Sequence, residues 1–158
     1  TVIIDSISMA QQVAMNEVLH KTGQSSIDRQ GWGEVSGMLN QVIYGFRELP
    51  QHLVITAHDR TRAEEGGGSD QLEPEVGPAV IPSVGKTLLG MMKVVGYSYI
   101  REVRQKADGK VKRTIEYRMK LGADPYYITK VRSPKDAIVP ASILNPDYKQ
   151  LKQIMRGD

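Results

Sequence analysis

The sequence predicts an α/β fold, and three observations carry that expectation. Val2-Ile3-Ile4 and Leu53-Val54-Ile55 are short, unbroken apolar runs, the composition of strands buried on both faces of a parallel sheet. Between them, Trp32, Val35, Met38, Leu39, Val42, Ile43 and Phe46 recur at helical spacing. Beyond residue 93 the pattern changes to two longer strands joined through Asp108-Gly109, a strong hairpin signal. A mostly parallel sheet flanked by helices, extended by an antiparallel hairpin edge, accommodates all three.

The elements follow in order. The first strand ends in Asp5-Ser6, both favoured helix caps, and Ile7 to Leu19 is helix-compatible, most clearly from Met9. His20 to Gly31 is polar and glycine-bounded, a loop by composition. The amphipathic helix from Trp32 is stopped by Pro50, and Leu53 to Ala57 forms the second strand, ending in His58-Asp59-Arg60. From Asp59 to Val84 the chain is irregular and holds Gly66-Gly67-Gly68, Pro74, Pro78 and Pro82; loops of this length are usually functional or disordered. Helix resumes over Gly85 to Met92. Strands are expected over Val94–Val103, Arg113–Leu121 and Tyr126–Val131, and a tail broken by Pro140 and Pro146 closes in a short helix, Tyr148 to Met155. The expected division is a core over 1–135 and a tail over 136–158.

The bulk numbers narrow the class. The 158 residues, 40% apolar, suit one domain, and one Trp with one Phe leaves aliphatic residues to fill its core. No run of 18 apolar residues or signal-peptide pattern is present, and the absence of cysteine fits a reducing cytosol, so a cytoplasmic location is expected. The net charge of +3 is too small to diagnose a nucleic-acid binder. Its distribution says more: Arg101 to Arg132 carries ten Lys/Arg against four Asp/Glu, while Glu64 to Glu75 carries five acids and no base. The first residue is Thr rather than Met, which suggests a processed, truncated or partly resolved chain.

Chemistry concentrates at the strand ends. An apolar strand running into Asp5-Ser6 has the form of a Walker B strand, the metal-side half of an ATP site. Ligands of α/β sheets sit at the carboxyl ends of strands, where an acid can hold Mg²⁺ through water. The alternative is a core strand that simply ends in an N-cap aspartate. Gly85-Lys86-Thr87 mimics the end of a P-loop, GxxxxGK[ST], but residue 80 is Val and Pro78 and Pro82 precede it, so a phosphate loop is not expected there. No thiol nucleophile, no histidine metal spacing among His20, His52 and His58, and no GxSxG motif is present.

Taken in order, these segments resemble the RecA-type ATPases, in particular small phage recombinases that assist single-strand annealing. The resemblance rests on Ile3-Ile4-Asp5-Ser6, the loop His20–Gly31, the helix Trp32–Leu49, the strand Leu53–His58, the loop Asp59–Ser83, the helix Gly85–Met92, the hairpin Val94–Leu121 and Lys130-Val131-Arg132, about residues 1 to 132. It implies a RecA-like fold whose N-terminal part, with the phosphate-cradling loop, lies outside this sequence. It implies ATP and Mg²⁺ as cofactors, with Asp5 holding the metal, Ser6 supporting it, and His58 as a γ-phosphate sensor or water-orienting residue. It implies that Lys130 and Arg132 reach a neighbouring subunit's phosphates, that Arg60, Arg62 and Gly66-Gly67-Gly68 contact single-stranded DNA, and that the protein is a homo-oligomer, filament or ring. Residues 1–158 alone are then expected not to hydrolyse ATP. The acids Glu64, Glu65, Asp70, Glu73 and Glu75 depart from a simple DNA-binding loop, and no aromatic lies among them to stack bases. The remaining readings are a ring helicase or DNA-packaging motor with the same core, and a non-enzymatic oligomerisation or DNA-tethering module.

Overall fold

The computed structural model describes residues 1–62, 75–107 and 110–157. Two compact units divide the chain, one from Thr1–Thr61 with Gly77–Met91, the other from Arg62–Val76 with Met92–Asp158.

In the first unit, β1 (Val2–Ile4) and β2 (Leu53–Ile55) pair in parallel, in the register Val2↔Leu53, Ile3↔Val54, Ile4↔Ile55. Between them run α1 (Ile7–Thr22) and α2 (Arg29–Arg47). Ser6 caps α1 by accepting from the Met9 N–H, and Gly23, at φ 66°, ends it with its own N–H bonded to the Leu19 carbonyl. That left-handed conformation favours glycine. The helix is longer than the sequence pattern suggested because His20 and Lys21 sit comfortably at its negative C-terminal end. The loop is correspondingly shorter, since Asp28 caps α2 by accepting from the Gly31 N–H at 2.7 Å. That bond holds the Asp28 carboxyl below the usual aspartate range. A Cβ at Gly31 would lie 3.1 Å from Val18 Cγ1, so the glycine lets α2 start close against α1.

The core of this unit is aliphatic, as the composition required: Ile7, Val18, Val35, Leu39, Ile43, Val80, Val84 and Leu88 are buried. Val35, Leu39 and Ile43 form the inner stripe of α2, whereas Trp32 and Val42, members of the same sequence pattern, stay partly open. The segment expected to be irregular contains β3 (Asp59–Arg62) and β4 (Glu75–Pro78), which form a two-stranded ribbon, and α3 begins early, at Pro82, and runs to Met91. Proline at a helix start forgoes only an N–H that would have no helical partner.

The second unit is built on a long hairpin, β6 (Tyr97–Ala107) with β7 (Lys110–Lys120), after a two-residue β5 (Val94–Val95). The Asp108-Gly109 turn lies outside the described residues. β5 pairs antiparallel with β8 (Lys130–Val131). The expected strand over Tyr126–Val131 shrinks to those two residues because Asp124 Oδ1 accepts from the N–H groups of Tyr126 and Tyr127, a local turn that takes donors from any ladder. The region read as a tail contributes β9 (Ser142–Leu144), antiparallel to β7, and α4 (Tyr148–Arg156), which opens on a capping box of Asp147 and Gln150.

The expected mostly parallel, RecA-like sheet is not evident among the described residues: β1–β2 is parallel, but β5–β8, β6–β7 and β7–β9 are antiparallel. The chain is a mixed helix and strand protein with small sheets. The physical reason lies in the pattern: continuous apolar runs of the kind that parallel sheets bury occur at β1 and β2, and even there Ile3 is 65% exposed.

Two stability predictions arise here. A Cβ at Gly122 would stand 3.0 Å from the Ala141 Cα, backbone against backbone, where the Leu121 and Gly122 N–H groups meet the Ala141 carbonyl. Gly122→Ala is expected to destabilise the second unit by about 1–3 kcal/mol, read as a lower urea midpoint. The second prediction concerns acid. The Lys120 ammonium donates to Asp124, and the Tyr126 and Tyr127 amides add to it, so the Asp124 carboxyl sits below its ordinary value. A depressed carboxyl stabilises the fold above its unfolded pKa, about 4, and that contribution is lost as pH falls through the folded value. Acid titration of stability should therefore show a loss below about pH 4 that Asp124→Asn reduces.

Candidate functional site

The ladder between β1 and β2 continues past both strand ends. The Thr56 N–H donates to the Ile4 carbonyl at 3.0 Å, and the Ile7 N–H donates back to the Thr56 carbonyl at 2.9 Å. This register brings Asp5 and Thr56 side by side, and the Thr56 hydroxyl donates to Asp5 Oδ1. Asp5 is exposed, while Ser6 next to it is buried, its hydroxyl turned to the N-terminus of α1. The Asp5–Ser6 peptide is cis.

His58 lies on the same edge. Its N–H donates to the Ser8 hydroxyl at 3.1 Å and its carbonyl accepts from the Ala79 N–H at 2.8 Å, so the backbone is held from α1 and from the end of β4 while the ring is exposed. Gln11, one turn further along α1, accepts from the Ile81 N–H at 2.7 Å. The first turns of α1 thus staple together three chain segments at the carboxyl ends of β1 and β2.

Sequence reasoning located Asp5, Ser6 and His58 but missed Thr56, Ser8 and Gln11. For Thr56 a signal existed: a hydroxyl one residue past an apolar strand, in register with an acid one residue past its parallel neighbour. Ser6 lies beside Asp5 with its hydroxyl accepting from the Met9 N–H at the start of α1.

The donor set fits a magnesium ion. Carboxylate and hydroxyl oxygens are hard ligands, and Mg²⁺ is commonly held by one or two carboxylates with water and phosphate completing its shell. Among the described residues no group of three or more His, Cys, Asp or Glu is clustered.

The remaining expected residues are distributed as follows. Arg60 is exposed on β3 and lines a groove with Trp32; Arg62 is the last residue of β3; Gly66, Gly67 and Gly68 lie outside the described residues. Lys130 and Arg132 belong to the second unit, Lys130 on β8 and Arg132 with its N–H bonded to the Lys93 carbonyl. Burial, helped by the nearby Arg132 charge, pulls the Lys130 ammonium below its ordinary value. On the hairpin, Glu102 pairs with Arg104 and Arg113, and Glu116 with Arg118, so part of the basic charge read from the sequence is matched. Gly85, Lys86 and Thr87 lie within α3, where the Gly85 N–H serves the Ile81 carbonyl and the Thr87 hydroxyl bonds the Ser83 carbonyl. They form no phosphate loop. No helix among the described residues is long and apolar enough to cross a membrane.

A carboxylate thus stands braced at the end of one parallel strand, and an exposed histidine lies beyond the end of the next. A family model described as an AAA domain matches residues 1–133, and the chain belongs to that family, whose members are P-loop ATPases that use ATP and Mg²⁺. No curated protein and no solved structure matches the chain.

Proposed function

We propose that this chain carries the metal-side half of the ATP site of a RecA-like recombination ATPase, of the kind phages use in single-strand annealing, which assembles as a homo-oligomer on single-stranded DNA. The observation that carries the ATP half of this reading is the Asp5–Thr56 pair at the carboxyl ends of β1 and β2. Asp5 would hold the ion, directly or through water, with Thr56 fixing the carboxylate. Mg²⁺, when bound with ATP, neutralises phosphate charge during transfer. His58, its backbone clamped by Ser8 and Ala79, would sense the γ-phosphate or orient the attacking water, and β3 begins at the next residue. Lys130 and Arg132 would place positive charge on a neighbouring subunit's phosphates. Arg60 and Arg62 supply the first DNA contacts.

Residues 1–158 contain no GxxxxGK[ST] sequence, so turnover depends on a phosphate-cradling loop supplied with them. The test is ATP hydrolysis with and without single-stranded DNA. Stimulation by DNA, lost in Asp5→Ala, supports the proposal. Robust turnover by residues 1–158 that survives Asp5→Ala overturns it.

A further inference from the structure

We propose that the groove between Trp32 and Arg60 is a base-stacking site for single-stranded DNA, holding one unpaired base against the indole with its phosphate beside the guanidinium; this rests on the single-stranded DNA reading above. The groove lies wholly within the first unit, has a volume of about 730 Å³, and is lined by Gln11, Trp32, Arg60 and the segment 79–83. That volume falls in the range of small-molecule sites, about 300–1,000 Å³, and accommodates a nucleotide.

Trp32 stands on the first turn of α2 at the head of the stripe that Val35, Leu39 and Ile43 continue. Those three are buried, yet Trp32 is 37% exposed, and its side chain makes no hydrogen bond among the described residues. An indole left open costs apolar burial, which a stacked base would recover. Arg60 is exposed and has no carboxylate partner among the described residues. The floor between them is fixed: the Ala79 N–H is bonded to the His58 carbonyl, the Ile81 N–H to Gln11, and the Ser83 hydroxyl pairs with that of Ser36 at 2.8 Å.

A π face beside a phosphate-binding cation on a rigid floor matches a nucleotide unit. A duplex hides both faces of its bases, and an apolar helix would leave Arg60 unpaired, so a single strand is the occupant this chemistry favours. Arg60 follows His58 by two residues, which places DNA occupancy next to the proposed phosphate sensor and offers a physical link between the two ligands.

Trp32 is the only tryptophan in the chain, so its emission reports on this groove alone. The experiment titrates the intact chain with an oligo(dT) strand, following fluorescence anisotropy of the labelled strand and quenching of Trp32 in parallel. Binding accompanied by quenching is expected, with Trp32→Ala weakening affinity about tenfold or more and Trp32→Phe retaining most of it. Arg60→Gln should weaken binding and lower the salt slope by about one. Circular dichroism of each variant checks folding, and Trp32→Phe keeps the test informative where Trp32→Ala unfolds. Tight oligo(dT) binding without quenching of Trp32, unchanged in folded Trp32→Ala and in Arg60→Gln, overturns the groove while the single-stranded DNA reading stands. No binding of oligo(dT) by the unaltered chain overturns both. Equal quenching by free dTMP at matched nucleotide concentration overturns the assignment to a strand.

Discussion

With ATP hydrolysis as the readout, Asp5→Asn is expected to cut Mg²⁺-supported turnover by about 10–100-fold and to raise the Mg²⁺ concentration needed for half-activity, with the fold unchanged. Asn keeps a carbonyl oxygen that can still accept from the Thr56 hydroxyl, so the strand-end geometry survives and only the charge is lost. Asp5 is exposed, and an exposed substitution of similar shape usually changes stability by less than about 0.5 kcal/mol. The deficit should therefore appear in metal dependence and not in the thermal midpoint. Thr56→Val is the informative companion. It keeps the branched shape but removes the donor that fixes the carboxylate, so a smaller loss in the same direction is expected. A Mg²⁺ titration of the three proteins orders them as unaltered, Thr56→Val, Asp5→Asn. Asp5→Asn with full turnover and an unchanged Mg²⁺ midpoint would remove Asp5 from the site.

The strand ends were legible because a continuous apolar run stopping at a polar residue is a local signal, and β1, β2, Asp5 and His58 all follow from it. What stayed hidden depends on register or on competition between donors. Thr56 meets Asp5 only once Ile4 is opposite Ile55. Asp124 shortens a plausible strand because a carboxylate two residues upstream outbids the ladder for two amides. Ser142–Leu144 lies between prolines and reads as coil, but the edge of β7 offers it partners. Trp32 fits a buried helical stripe by spacing, yet the helix rotates it toward a groove whose other wall comes from residues 60 and 79–83. Sheet type was misjudged for a related reason: two short apolar strands suggest a parallel sheet, but the longest ladder of the chain is a hairpin.

The last prediction joins the core to the site. Ile7 is fully buried, and its N–H holds the Thr56 carbonyl, so one residue anchors both the interior of the first unit and the backbone that presents Thr56 to Asp5. Ile7→Ala is expected to cost about 2–5 kcal/mol, and Ile7→Val about 0.5–1.5 kcal/mol, both read from urea denaturation. Ile43, equally buried on α2, supplies the control: Ile43→Ala removes the same atoms from the same aliphatic interior at a similar cost. The two alanine variants should separate when compared under conditions where both remain folded. A cavity behind Ile7 lets the Asp5-Ser6 turn shift against Thr56, so Ile7→Ala should also raise the Mg²⁺ requirement, in the manner of Thr56→Val. Ile43→Ala should leave that requirement as it was. The physical basis is that a packed interior fixes the position of what is bonded to it, and small displacements at a metal site weaken it sharply. An equal rise in Mg²⁺ requirement for both variants would mean that general loosening of the unit, and not the Ile7 anchor, governs the site.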